Sequence, residues 1–210
     1  MNKVIITVAL NGSLPTKEMN SHVPITPEEL GVAAAKCQES GASIAHVHAR
    51  DSNGRPTLDP EVFERIHAEI SARTDLIIQI STGARAGTDT EKRAAPVRRI
   101  RPEMASLTTG SMNFPNQVYS NSFEVVERLA EVMKEAGTKP EMEIFEITVF
   151  PGEPSLGFCP RPFWAGARRC RGQSACFGAG SSTSGSHGTP DWRIAANDST
   201  YKRHLRRSQS

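Results

Sequence analysis

The sequence predicts an α/β fold built on a parallel sheet. Two observations carry this. Short apolar runs alternate with amphipathic stretches that open on a capping residue, and each repeat takes roughly 30–40 residues. The strand-like runs are nearly continuous blocks of aliphatic residues, as in strands covered on both faces.

The elements follow in order. VIITVAL (4–10) is a first strand, expected to be buried on both faces. Thr26-Pro27-Glu28-Glu29 opens a helix: Thr26 suits the N-cap, Pro27 the first helical position, and Glu29 completes a capping box. This helix runs through Leu30, Val32, Ala33 and Ala34 towards Cys37, and Gly41 ends it. ASIAHVHA (42–49) is the second strand. Asp59-Pro60-Glu61 starts the second helix, and DLIIQIST (75–82) is the third strand. Glu91 to Arg99 is a short helix, and MASLTT (104–109) is the fourth strand. Ser122 caps a helix through Val125, Leu129, Val132 and Met133, with Gly137 as its stop. EMEIFEI (141–147) is the fifth strand. A doubly wound open sheet and a (β/α)8 barrel both remain open; a barrel needs about 250 residues.

The chain has 210 residues, 37% of them hydrophobic and 23% charged, with a formal net charge of +2. That balance excludes a collagen-like or grossly disordered chain. No run of about 18 apolar residues exists, so no membrane partner is expected. The N-terminus reads as a strand rather than a signal peptide, and four cysteines do not make a disulfide scaffold. A cytoplasmic protein with reduced thiols is the expectation.

The averages hide a boundary. Residues 1–149 carry the periodic pattern; 150–210 are rich in Gly, Ser, Arg and Pro and carry none. Residues 151–210 hold nine Lys/Arg against three acids, whereas residues 1–150 hold 16 against 20. A disordered basic tail is one reading. Translation out of frame is the favoured one, because a parallel sheet cut at its fifth strand is not a finished fold. No specific nucleic-acid partner is expected of this segment, since no aromatic platform accompanies its arginines. Cys159, Cys170, Cys176 and His187 fit no common zinc-finger spacing.

In parallel α/β folds chemistry gathers at the carboxyl ends of the strands. His46 and His48 stand two residues apart on the second strand and so share a face. Two imidazoles converging on one point suit two ligands of a zinc-class ion; the plainer reading is two histidines hydrogen-bonded to neighbours. A catalytic ion also wants a third protein ligand and an open position. Ser81-Thr82-Gly83 offers hydroxyls and backbone N–H groups to a carboxylate or phosphate, or is a tight turn with a capping residue. Ser106 and Thr108 share a face and could contact a ligand or fill space. Glu141 and Glu143 also share a face, and buried carboxylates need partners. Asp51-Ser52-Asn53-Gly54 begins like a calcium loop, but Val62 holds the position of the required glutamate, so a turn is expected. Cys37 reads as packing, and His22 and His67 as surface or packing residues.

Six segments in order, ITVALNGSLPTKE, VPITPEEL, GASIAHVHARDSNGRPT, IIQISTGA, RPEMASLTTGSMNF and EMEIFE, resemble the β-keto acid cleavage enzymes, whose type member is 3-keto-5-aminohexanoate cleavage enzyme. The resemblance runs from residue 3 to about 146. It implies a (β/α)8 TIM barrel of which only the first four to five β/α units are present, a homotetramer, and Zn2+ held by His46, His48 and a glutamate from a later strand. Glu143 is a possible stand-in for that glutamate. It further implies transfer chemistry of amino-acid degradation: a β-keto acid plus acetyl-CoA gives acetoacetate and a new acyl-CoA. Ser81 and the turn through Gly83 and Ala84 match binders of the substrate carboxylate, and Ser106 a hydroxyl contact, with Thr108 beside it. Asn11 lies at the first strand's end. Leu14 stands where members acting on the amino-substituted substrate carry a carboxylate, which implies a different, uncharged keto acid. The catalytic acid–base groups are expected beyond the resembling part, so this chain is expected to be weakly active or inactive. Another metal-dependent barrel hydrolase and a non-catalytic fragment are the competing readings.

Overall fold

A computed structural model describes residues 4–84, 88–114 and 117–145. The expectations for the basic segment 150–210 and for the end of the fifth strand lie outside these residues.

The elements are β1 (Thr7–Ala9), α1 (Pro27–Glu39), β2 (Ile44–Val47), α2 (Pro60–Arg73), β3 (Ile77–Ile80), α3 (Thr90–Ile100), β4 (Met104–Thr108), β5 (Met112–Phe114), β6 (Gln117–Tyr119), α4 (Phe123–Ala136) and β7 (Lys139–Glu143). Five strands form one sheet in the order β1-β2-β3-β4-β7, every neighbouring pair parallel. A parallel sheet laid down in chain order, with helices between its strands, is an α/β fold consistent with part of a (β/α)8 barrel. Among the described residues no helix is long and apolar enough to cross a membrane.

Local chemistry explains the helix ends. Thr26 and Glu29 close the capping box in both directions at α1. Asp59 and Asp89 each accept from the N–H two residues on. Ser122 precedes α4 without a side-chain cap bond, and Gly137 ends that helix at φ 72°. α3 continues through Pro96, which forgoes one helical hydrogen bond.

The sheet has two chemically different faces. Ala45, Val47, Ile78, Ile80, Ala105 and Leu107 pack against Leu30, Phe63, Ile66, Ile70, Val97, Leu129 and Met133 from the helices. This is the main core. The opposite face begins with a small apolar cluster of Ile44, Ile77 and Met104. Beyond it, towards the carboxyl ends, the same face turns polar: His46 and His48, Gln79 and Ser81, Ser106 and Thr108, Glu141 and Glu143. Period-two alternation places them there.

Three sequence expectations need correction. The first strand is shorter than 4–10 and is not buried on both faces: Thr7 and Ala9 are exposed, as are Val4 and Ile5. β1 is the edge of the described sheet, and only its Val8, with Leu10 just after it, packs against the core. The fifth strand starts at Lys139 rather than Glu141. Pro140 is tolerated because the Lys139 N–H donates to Glu103 O at 2.9 Å, which turns the next main-chain nitrogen away from β4. The antiparallel β5–β6 hairpin between the fourth strand and fourth helix was not expected.

Candidate functional site: a polar tier at the carboxyl ends of the strands

His46 and His48 do converge. Their Nε2 atoms lie 3.2 Å apart and their rings meet edge to face at 70°. Two imidazole nitrogens bound tetrahedrally to one zinc-class ion, each at about 2.0–2.1 Å, stand about 3.3 Å apart. The pair therefore fits two positions of one such ion. Burial, with His46 and Arg50 adding to it, pushes the His48 imidazole down to about 3. His48 is thus neutral at ordinary pH, the form that ligates metals. Among the described residues no set of three His, Cys, Asp or Glu side chains is grouped to hold an ion.

Backbone anchors fix the histidines. Asn11 accepts from the His48 N–H at 3.0 Å and donates to the His48 carbonyl at 2.9 Å. Arg50, 4% exposed, donates to the carbonyls of Gly12, Pro15 and Gly54. It ties the loop after β1 to the turn after β2. That turn is the Asp51–Gly54 segment: the Asp51 carboxylate accepts from the N–H groups of Asn53 and Arg55. Its Oδ1 serves the backbone, as expected of a turn.

Gln79 was not singled out in the sequence, where it stands in an aliphatic run. It is wholly buried. Its amide oxygen lies 2.7 Å from His46 Nδ1, and its amide nitrogen donates to Glu141. A lone amide inside an apolar strand was the available signal, because a buried polar group needs partners.

The remaining predicted residues separate into two groups. Ser81 is buried and accepts from the Gly83 N–H at 3.1 Å. Gly83 and Ala84 are half-buried at the mouth of the turn. Ser106 is buried, and its Oγ accepts from the Thr82 N–H at 3.3 Å, while Thr82 Oγ1 donates to the Ser106 carbonyl. Thr108 donates to Glu143 at 2.7 Å. All of these lie at the strands' carboxyl ends. Leu14 does not: it is 70% exposed on the loop after β1. Cys37 is packed beside the core, where burial pushes its thiol up. His22 is exposed, and His67 lies 3.9 Å from Glu103.

A second buried cation sits behind the Ser81–Gly83 turn. Arg93, 3% exposed, donates to Thr82 O, to the Tyr119 hydroxyl and to Asn121 Oδ1 at 2.9, 3.1 and 2.8 Å. These are neutral acceptors; among the described residues no carboxylate pairs with it. A Cβ on Gly83 would lie 3.2 Å from Ser81 Oγ and 3.4 Å from the Tyr119 hydroxyl. Glycine keeps that side of the turn open.

The family model for beta-keto acid cleavage enzyme matches residues 3–150. The chain is 40% identical over 146 residues to 3-oxoadipate:acetyl-CoA acetyltransferase of Cupriavidus necator, covering 69% of this chain and 51% of that protein. It is also 40% identical over 148 residues to 3-keto-5-aminohexanoate cleavage enzyme of Acetoanaerobium sticklandii, covering 70% and 54%. It spans about half the length of these relatives. The apo structure of ObcA superposes with TM-score 0.58 at 23% identity, over 64% of this chain and 32% of that one, a likeness of fold. Matched by that family model over residues 3–150, the chain belongs to the beta-keto acid cleavage enzyme family.

Proposed function

We propose that this chain carries the metal- and carboxylate-binding part of a (β/α)8-barrel enzyme that converts a β-keto acid and acetyl-CoA into acetoacetate and a new acyl-CoA. The observation that supports it best is the 3.2 Å approach of His46 and His48 Nε2 at the end of β2. A zinc-class ion held there supplies Lewis acidity towards a substrate keto oxygen. His46 and His48 would hold it.

The chain's other residues bind and orient. The Ser81 hydroxyl accepts from the Gly83 N–H and keeps its own proton to donate, and the buried Arg93 charge lies behind the turn, which favours an anion such as the substrate carboxylate. The apolar cluster of Ile44, Ile77 and Met104 keeps water from below the tier. By the resemblance, position 14 is where an ammonium group would find its counter-charge; Leu14, exposed on the loop after β1, supplies none, so the keto acid is one without a cationic substituent. The homotetramer and the closing strands belong to this same reading of a whole enzyme.

The test is a thioester assay on the full chain, with 3-oxoadipate and 3-keto-5-aminohexanoate as trial substrates and zinc supplied. Weak turnover that depends on acetyl-CoA is expected, favouring the acid without an amino group. Substrate loss independent of acetyl-CoA would instead favour a hydrolase.

A further inference from the structure

Gln79 links three strands. Its side chain starts on β3, meets His46 on β2 and reaches Glu141 on β7. The contact with Glu141 crosses β4, which presents Met104 and Ser106 on that face, with Ser106 the register partner of Glu141.

The chemistry of the link is directional. A carboxylate only accepts hydrogen bonds, so Glu141 takes the NH2 end of the Gln79 amide. The amide oxygen must then face His46 Nδ1, 2.7 Å away. An amide oxygen also only accepts, so Nδ1 carries the proton. In a neutral imidazole Nε2 is then a bare lone pair, and this is the nitrogen 3.2 Å from His48 Nε2. Without an ion between them, His48 must supply the proton of that contact from its own Nε2.

We propose that Glu141, acting through Gln79, is the positioning device that locks His46 in its Nδ1–H tautomer and so holds the Nε2 lone pair ready for a cation. The inference rests on the metal reading above for its purpose, but the tautomer is a property of the metal-free chain. Gln79 is wholly buried, so water does not compete for its amide. Neither residue touches substrate in this scheme; both act through His46.

The test has two arms on the full 210-residue chain. Long-range proton–nitrogen NMR of the metal-free protein reads which ring nitrogen is protonated. The native chain should show His46 protonated on Nδ1 and His48 on Nε2. Gln79→Met is nearly isosteric and removes the acceptor, so His46 should shift towards its Nε2–H form. Glu141→Gln lets the amide at 79 turn either way and should give a mixture. A native His46 protonated on Nε2 overturns the proposal even if both variants fail to fold. In the second arm, zinc competes with a chromophoric chelator: Gln79→Met should bind zinc about 10–100-fold more weakly than the native chain. Unchanged tautomer and unchanged zinc affinity in both variants also overturn it. A native chain with the expected tautomers but no zinc binding sinks the metal reading alone.

Discussion

Asn11 is bound twice to the main chain of His48, accepting from its N–H at 3.0 Å and donating to its carbonyl at 2.9 Å. The asparagine side chain thereby imitates a neighbouring strand for one residue beyond the end of β1–β2 pairing, which stops at Ala9 and His46 in the ladder. His48 keeps strand-like support where the main chain of β1 no longer gives it. Asn11→Ala leaves both groups unpaired in a half-buried place. Its expected cost is about 1–3 kcal/mol, seen as a lower urea midpoint with unchanged slope. Asn11→Asp keeps the acceptor but sets a carboxylate oxygen against the His48 and Pro24 carbonyls, so it should not recover the loss.

Arg93 is the strut under the Ser81–Gly83 turn. Arg93→Met removes three charge-assisted bonds from buried acceptors on the end of β3, on β6 and at Asn121. Destabilisation of about 3 kcal/mol is expected. Hydrogen exchange should speed up most in β5 and β6, whose tie to α3 is the Arg93–Tyr119 contact. Arg93→Lys should not rescue it, because an ammonium cannot span that fork of acceptors.

Gly31 on α1 faces the Glu69 backbone of α2 with little room between them. A Cβ there would lie 3.0 Å from the Glu69 carbonyl oxygen, a main-chain atom that cannot swing aside. Alanine gains about 1 kcal/mol of helix propensity over glycine, but forced overpacking costs about 1–3 kcal/mol. Packing should win, so Gly31→Ala lowers the thermal midpoint. A raised midpoint would show that the two helices part easily.

Glu29 gives the chain an acid-side dependence. Its hydrogen bond to Lys17, then those from the Ile25 and Thr26 N–H groups, hold the carboxyl down at about 2. A lowered carboxyl pKa contributes stability that is present above the ordinary value near 4.5 and is lost as pH falls towards 2. Glu29→Ala should therefore be less stable than the native chain at neutral pH, by about 0.5–1 kcal/mol after allowance for its exposure. The gap should close between pH 4.5 and 2 in paired denaturation curves. A gap independent of pH would mean the carboxylate's bonds are not its source.

What could be read from the sequence was whatever depends on near neighbours in the chain. Thr26 and Glu29 are three residues apart, and their capping box forms as the pattern requires. His46 and His48 are two apart on a strand, so their meeting follows from the pleat alone. Gln79 was opaque because its partners stand 33 and 62 residues away. Within DLIIQIST it looks like one polar residue in a buried strand. Arg93 was opaque for the same reason: on a helix rich in Lys and Arg, nothing nearby tells the buried one from the exposed ones. The β5–β6 hairpin did have a local signal, the Pro115-Asn116 pair between two short β-favouring runs.

The crossing of β4 by the Gln79–Glu141 contact gives Ser106 a meaning that has nothing to do with its hydroxyl. It is a matter of clearance. Residues on β3 and β7 are separated by a whole intervening strand, and they can shake hands only if that strand keeps low between them. Serine's small volume sets the headroom; its oxygen is already committed to Thr82. If Glu141 locks His46 through Gln79, a bulkier residue at 106 should crowd that passage and loosen the lock on a histidine two strands away. Sheet chemistry of this kind is written as much in the sizes of silent residues as in the identity of the reactive ones.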